Sequence, residues 1–234
     1  NQKESRYQND YLTRNKISIM TTNELHIAFK VVMDKNAAGV AFGGCPAFLP
    51  AEIDLFLNQA YIEVMNNKFT GTNTLKTPFE GSVKRIADLE KLIATDSAVA
   101  ITLDNGTNVL RVSDFFNSAG AKHRMFFVQA VLNFNTNKST VDLVDHETAK
   151  RFLKTYNNDP WINTPVATLE NNNLLVFIDT HKMLTPYTID ITYVKYPVEI
   201  INTNGSTEIT EVPEYVLYEV VNRAAAIALE NIES

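Results

Sequence analysis

From Pro50 to Val64 the apolar side chains fall on one helical face. Ile53, Phe56, Leu57, Ala60, Tyr61 and Val64 sit at i, i+3, i+4, i+7, i+8 and i+11, the spacing that lines one side of an α-helix. Pro50 suits the first turn, where a missing N–H costs nothing. Glu52, Asp54, Asn58, Gln59 and Glu63 mark a polar side. Leu55, Ile62 and Met65 fall outside the main apolar face. A helix that is apolar on more than one side must bury more than one side. Two readings stay open: a helix central to its own core, or one wedged between subunits.

Other helices flank this one. Thr21 and Glu24 form a Ser/Thr-x-x-Glu capping box, which satisfies orphan amides at a helix start. Leu25, Ala28, Phe29 and Val32 follow at helical spacing, and the pattern ends near Lys35. A third helix is expected near Phe79–Ala94, with Val83, Ile86, Leu89 and Ile93 as its apolar positions. A last helix is expected from Pro213, with Leu217, Val220, Val221, Ala224, Ile227 and Ala228 as its stripe. Ala225 and Ala226 keep it small beyond that stripe, so another backbone can approach closely.

The middle reads as β. Asn105-Gly106 lies between Ala98–Leu103 and Asn108–Val112, a strong hairpin signal because both turn residues take positive φ. Arg124–Phe134 is apolar on both sides, which predicts a central strand. Thr140–Val144 should pair with it, and a short helix fits His146–Thr155. Further strands are expected at Val166–Leu169, Leu174–Ile178 and Tyr187–Lys195. The fold class is therefore α+β. N-terminal helices and a C-terminal helix pack together, with a strand-rich antiparallel β domain inserted between them. The boundaries are an arm at 1–19, a helical region at 20–97, a β-rich region at 98–211 and the closing helix at 212–234. The arm is expected to be ordered only where a neighbour supports it.

Composition narrows the function classes. Apolar residues are 45% and charged residues 21%, enough for a core and too apolar for a disordered chain. Cys45 is the single cysteine, which excludes an intramolecular disulfide framework and fits a reducing compartment during assembly. No apolar run reaches membrane-spanning length, and the polar start predicts no secretory leader. Asn105, Asn137 and Asn204 match the glycosylation pattern but read as turns. The net charge of −6 lies wholly in residues 186–234, where Lys195 and Arg223 face eight acidic side chains. Such an end does not wrap nucleic acid tightly, because phosphate binding needs Lys and Arg. It reads as a solvated helix face, as a dock for a basic partner, or as a repulsive lining that keeps DNA moving through a channel.

Nothing selects catalytic chemistry. His26, His123, His146 and His181 have no second His or Cys at ligand spacing. Asp142, Asp145, His146 and Glu147 form the densest polar cluster, and a helix N-cap by Asp145 accounts for it best. The Gly39–Pro50 loop lacks the Lys-Ser/Thr ending of a phosphate-binding loop. Cys45 carries no protease signature. Trp161, in a turn-rich stretch, is a candidate interface anchor, or a plug on the core. No catalytic, cofactor or metal residue is assigned. The candidate interface residues are Leu55, Ile62, Met65, Trp161, Ala225 and Ala226.

Leu49 to Ala60 (LPAEIDLFLNQA) resembles the early helix of phage virion proteins at the portal and neck. Tyr193 to Ile200 (YVKYPVEI), followed by Glu211 to Val216 (EVPEYV) and an Ala-rich helix, resembles the C-terminal end of head–tail connector proteins. The Asn-rich, Cys-poor composition and the helix–β–helix order look like crAss-like phages. The resemblance covers both ends and not the middle β region. It implies a virion protein without catalytic residues or cofactors. It also implies a homo-oligomeric, usually dodecameric, ring in the neck or tail. The ring would dock beneath the portal protein, seat adjacent tail or ring proteins and line the DNA channel. Helix two and the C-terminal helix would then form the ring body, and the β region would meet adjacent rings. Two other readings remain. One is a different virion module, a tail-tube or carbohydrate-binding β domain marked by exposed aromatics. The other is a small hydrolase using Cys45 or the Asp142–Glu147 cluster.

Overall fold

The computed structural model of the chain describes residues 20–36, 48–70, 83–103, 109–118, 121–154, 162–178, 187–202 and 207–233. The chain divides into two compact units. The helical unit comprises the described residues of Asn1–Glu90 and Pro197–Ser234, and the β unit those of Lys91–Tyr196. The fold is α+β, with the helices of both chain ends packed together and a curled sheet formed by the residues between them.

The helical unit contains α1 (Thr22–Asn36), α2 (Pro50–Thr70), α3 (Val83–Leu89) and α5 (Glu214–Glu233). Strand β1 (Met20–Thr21) pairs antiparallel with β12 (Glu208–Ile209) just before α1. The capping box forms as the sequence requires. Glu24 Oε2 accepts the Thr21 N–H at 2.8 Å, and the Glu24 N–H reaches Thr21 Oγ1 at 3.3 Å. The Thr21 N–H and the Thr21 hydroxyl, both donating to it, hold the Glu24 carboxyl below its ordinary range. Ile53, Leu57, Ala60, Tyr61 and Val64 of α2 are buried, as is the whole α5 stripe from Leu217 to Ala228. Phe29 of α1 stacks on Phe56 of α2, with Phe48 edge-on to both.

The polar side of α2 does more than face water. Asp54 accepts from His26 at 2.7 Å and from the Asn202 amide at 3.2 Å. The Asn58 side-chain amide donates to the Ile200 carbonyl and accepts from the Ile200 N–H, at 2.8 and 2.7 Å. Glu211 accepts the Val198 amide. A stretch without regular structure thus finds partners for its backbone groups. Residues 197–211, placed by pattern in the β-rich region, belong to the helical unit.

The β unit is one eight-stranded sheet, a two-residue-strand hairpin and α4 (His146–Lys154). The sheet contains β2 (Ile93–Ala100), β3 (Thr102–Leu103), β4 (Val109–Val112), β7 (Arg124–Phe134), β8 (Asn137–Leu143), β9 (Val166–Glu170), β10 (Asn173–Phe177) and β11 (Tyr187–Lys195). Their order is β2-β11-β7-β8-β9-β10-β4-β3. Every neighbouring pair is antiparallel except β8 with β9. The small hairpin pairs β5 (Asn117–Ser118) with β6 (Ala121–Lys122).

The two edge strands, β2 and β3, are separated in sequence only by Ile101. Edges joined through a single residue lie close together there, which gives the sheet its curl. Leu110, Ala130, Leu132, Leu174, Val176, Ile189 and Ile191 fill the interior.

Pairing changed one boundary. The third helix ends at Leu89, and a short 3₁₀ turn leads into β2 at Ile93, inside the span expected to be helical. Ile93 and Ala94 pair with Val194 and Tyr193, and that ladder outweighs a helical repeat too short to propagate alone. Correspondingly, 98–103 is not one strand: β2 joins β11, while β3 joins β4 as the hairpin pattern predicts. The Asn105-Gly106 turn itself lies outside the described residues. Asn171 and Asn172 both have positive φ in the two-residue β9–β10 turn, the role Asn performs well.

At the β2–β11 bulge, Ala98 has φ 53°. A side chain with a Cβ pays about 1 kcal/mol there. Asp190 fixes the bulge by accepting the Ala98 N–H at 2.8 Å, a bond that keeps its carboxyl below the ordinary range. Ala98→Gly is expected to stabilise the β unit by up to about 1 kcal/mol in urea titration.

Candidate functional site

The anticipated interface residues separate into distinct groups. Leu55 and Ile62 lie one heptad apart on α2 and are 64% and 43% exposed. They share the outer stripe of the helix with Ala51, Gln59 and Asn66, all exposed. Met65 is fully buried, which corrects its placement on an outer face. It follows Tyr61 by four residues and so sits on the inner side with it. Ala225 is 1% exposed and Ala226 half-buried. The small-residue surface therefore serves this chain's own packing, where α5 meets both α1 and α2. Trp161 and Cys45 lie outside the described residues.

The Asp142–Glu147 stretch disperses into local structure. Asp145 Oδ1 accepts the Thr148 amide at 2.7 Å and caps α4, which lowers its pKa. Glu147 pairs with Arg151 four residues on. The His146 ring meets the Thr168 hydroxyl at 3.3 Å. Among the described residues no three His, Cys, Asp or Glu side chains converge as a metal site. No described helix is long and apolar enough to cross a membrane. The exposed large apolar residues of the described β unit are Leu103 and Leu143, neither of them aromatic.

Two acids of the C-terminal segment pair with cations of this chain at its surface. Glu219 pairs with Lys68 at 2.7 Å, and Glu230 approaches Arg223 at 3.6 Å. Arg223 also donates to Glu63 at 2.9 Å. Lys68 reaches Asp88 at 3.0 Å, and the Tyr215 hydroxyl donates to Asp88. Asp88 is 1% exposed, so this cluster ties α2, α3 and α5 around one buried carboxylate. The Tyr215 pKa is pushed up to about 12, chiefly by its bond to Asp88.

A second polar cluster lies in the β unit. Arg124 is buried between the rings of Phe115 and Tyr193, with its guanidinium 5.2 and 5.0 Å from their centroids. It donates to the Phe115 carbonyl and to Asp96. Tyr193 OH lies 2.9 Å from Asp96 Oδ1 and 2.6 Å from His123 Nε2. The hydroxyl has one hydrogen, and a carboxylate beside Arg124 only accepts. Tyr193 therefore donates to Asp96, and His123 donates to Tyr193 from a protonated Nε2. Sequence spacing did not reveal this chain, because its members lie on β2, β11 and the start of β7, adjacent only after pairing.

Burial, then the bond to Asp96, pushes the Tyr193 pKa up to about 12. The folded state thus holds this proton more tightly than the unfolded chain. The contribution is full below about pH 10 and is lost as pH rises from there towards 12. Thermal melts between pH 9 and 12 should show this alkaline loss, about 2 kcal/mol, reduced in Tyr193→Phe.

No protein-family model matches the chain, and no curated protein is significantly similar to it.

Proposed function

We propose that this chain is a non-enzymatic structural subunit of a tailed phage virion. Its copies form a closed ring in the neck or tail, beneath the portal and against the next tail component. The observation that carries the reading is the outer stripe of α2. Leu55 and Ile62 stay exposed on a helix whose opposite side, out to Met65, is filled by its own chain. Two large aliphatic side chains one heptad apart make a seam that a neighbouring helix fills. A ring repeats one heterologous contact until it closes. The acidic excess of residues 186–234 suits a channel through which DNA slides, because like charge keeps phosphates from sticking.

The test is mass photometry of the purified chain with the portal protein of the same phage. A closed ring of defined mass on the portal is the expected result. A chain that stays monomeric and never joins portal or virion contradicts the proposal. The hydrolase alternative is tested separately: virion assembly unchanged by Cys45→Ala with His146→Ala removes it.

A further inference from the structure

A closed ring repeats one contact between two different faces of the same molecule. The Leu55–Ile62 stripe of α2 supplies one face and is too small to hold a neighbour alone. Two half-exposed aliphatic side chains offer roughly 100 Å², whereas a stable interface takes about 800 Å² from each partner. The stripe widens on one flank. Asn58, one turn beyond Leu55, holds both backbone groups of Ile200, and Asp54 holds the Asn202 amide. That segment runs beside the stripe, and its exposed Val198 and Ile201 extend the apolar face.

The described residues of the helical unit carry a second apolar face, on α1 and α5. On α1, Ile27 and Val31 are exposed and follow Glu24 at i+3 and i+7. On α5, Tyr215 and Tyr218 are 48% and 47% exposed, and Tyr218 lies within electrostatic reach of Glu24. Both tyrosines are tied down by their hydroxyls. Tyr215 donates to the buried Asp88, and Tyr218 donates to Glu214 one turn back. Their rings are thus held in place while still open to water. Rigid tyrosine rings supply contact area at little cost in conformational entropy, and tyrosine is enriched among the residues that dominate binding. Two packed helices also present a face about 20 Å wide, which can lie over both the α2 stripe and the segment beside it.

Resting on the ring reading above, we propose that the α1–α5 face of one copy covers the α2 stripe of the next. Tyr215 and Tyr218 are the anchors, set against Leu55, Ile62 and Ile201. A contact between two α2 stripes would instead be self-complementary and would end at a dimer.

Two variants of the full chain test the pairing. Ile27→Asp with Tyr218→Asp blocks the α1–α5 face and leaves the α2 stripe intact, and Leu55→Asp with Ile62→Asp does the reverse. Sedimentation velocity is run at about 100 µM, where a single micromolar contact is nearly saturated. Each variant alone should be monomeric, its contact weakened at least about 100-fold. Mixed in equal amounts, they should form 1:1 dimers that grow no further, because each dimer has one intact contact and two blocked faces. Circular dichroism checks the folds. If the first variant does not fold, Ile27→Lys with Tyr218→Lys replaces it, since Glu24 and Glu214 stand one turn before the new lysines. The pairing alone is overturned if the α1–α5 variant assembles like the wild type or pairs with itself. It is also overturned if the mixture stays monomeric while the wild type assembles. A wild type that is itself monomeric overturns the ring reading and this contact with it.

Discussion

Leu55→Asp combined with Ile62→Asp will leave the helical unit folded and abolish its assembly. Both side chains are exposed in the single chain, so the substitutions should change stability by no more than about 0.5 kcal/mol. Two carboxylates in a desolvated seam have no partner, and each resists leaving water. Interface centres of this kind carry costs above about 2 kcal/mol per residue. The pair should therefore weaken association at least 100-fold, about 2.7 kcal/mol. Sedimentation velocity reads the loss, and circular dichroism checks the fold. Met65→Asp is the contrast. That side chain is fully buried, so its replacement should unfold the helical unit.

The second large effect concerns the buried carboxylate of the helical unit. Lys68→Met keeps the stem of the side chain and removes its charge. Asp88, 1% exposed, then retains only the Tyr215 hydroxyl among the two partners described above. Removing one member of a buried pair leaves an uncompensated charge, at a cost of about 3 kcal/mol. Hydrogen exchange should show α2 and α5 losing protection while β7 and β11 keep theirs. Lys68→Met with Asp88→Leu should recover most of the loss, because an apolar pair has no charge to desolvate. Recovery in the double variant and not in the single one distinguishes charge burial from lost packing.

These effects were unequally visible in the sequence. The capping box at Thr21, the buried face of α2, the stripe of α5 and the span of β7 follow from local periodicity and hydrogen-bonding chemistry. The alternation of Ile189, Ile191 and Tyr193 was equally legible, and all three are buried. The end of α3 was not, because the β2–β11 ladder joins residues about a hundred positions apart. Met65 was misplaced because six positions on a helical face do not set its width. Ala225, buried in the single chain, was misread for a related reason. Small residues announce a close approach without saying which backbone approaches, and here it is the chain's own.

The polar clusters show the same limit. Asp54 and Asn58 read only as part of a polar helix side, and they hold the backbone of residues 200–202. Asp96, His123, Arg124 and Tyr193 come together only through strand order. One charge of the acidic excess proved to be paired within the chain, Glu219 with Lys68 of α2.

Self-association through the outer stripe of α2 is the claim on which the functional reading stands. Sedimentation velocity of the purified chain, from about 1 to about 100 µM, examines it most directly, since that range spans contacts of about −8 to −5 kcal/mol. One closed species of fixed mass, growing with concentration at the expense of monomer, is the result expected. A single monomeric boundary across the whole range, unchanged by Leu55→Asp with Ile62→Asp, would contradict it.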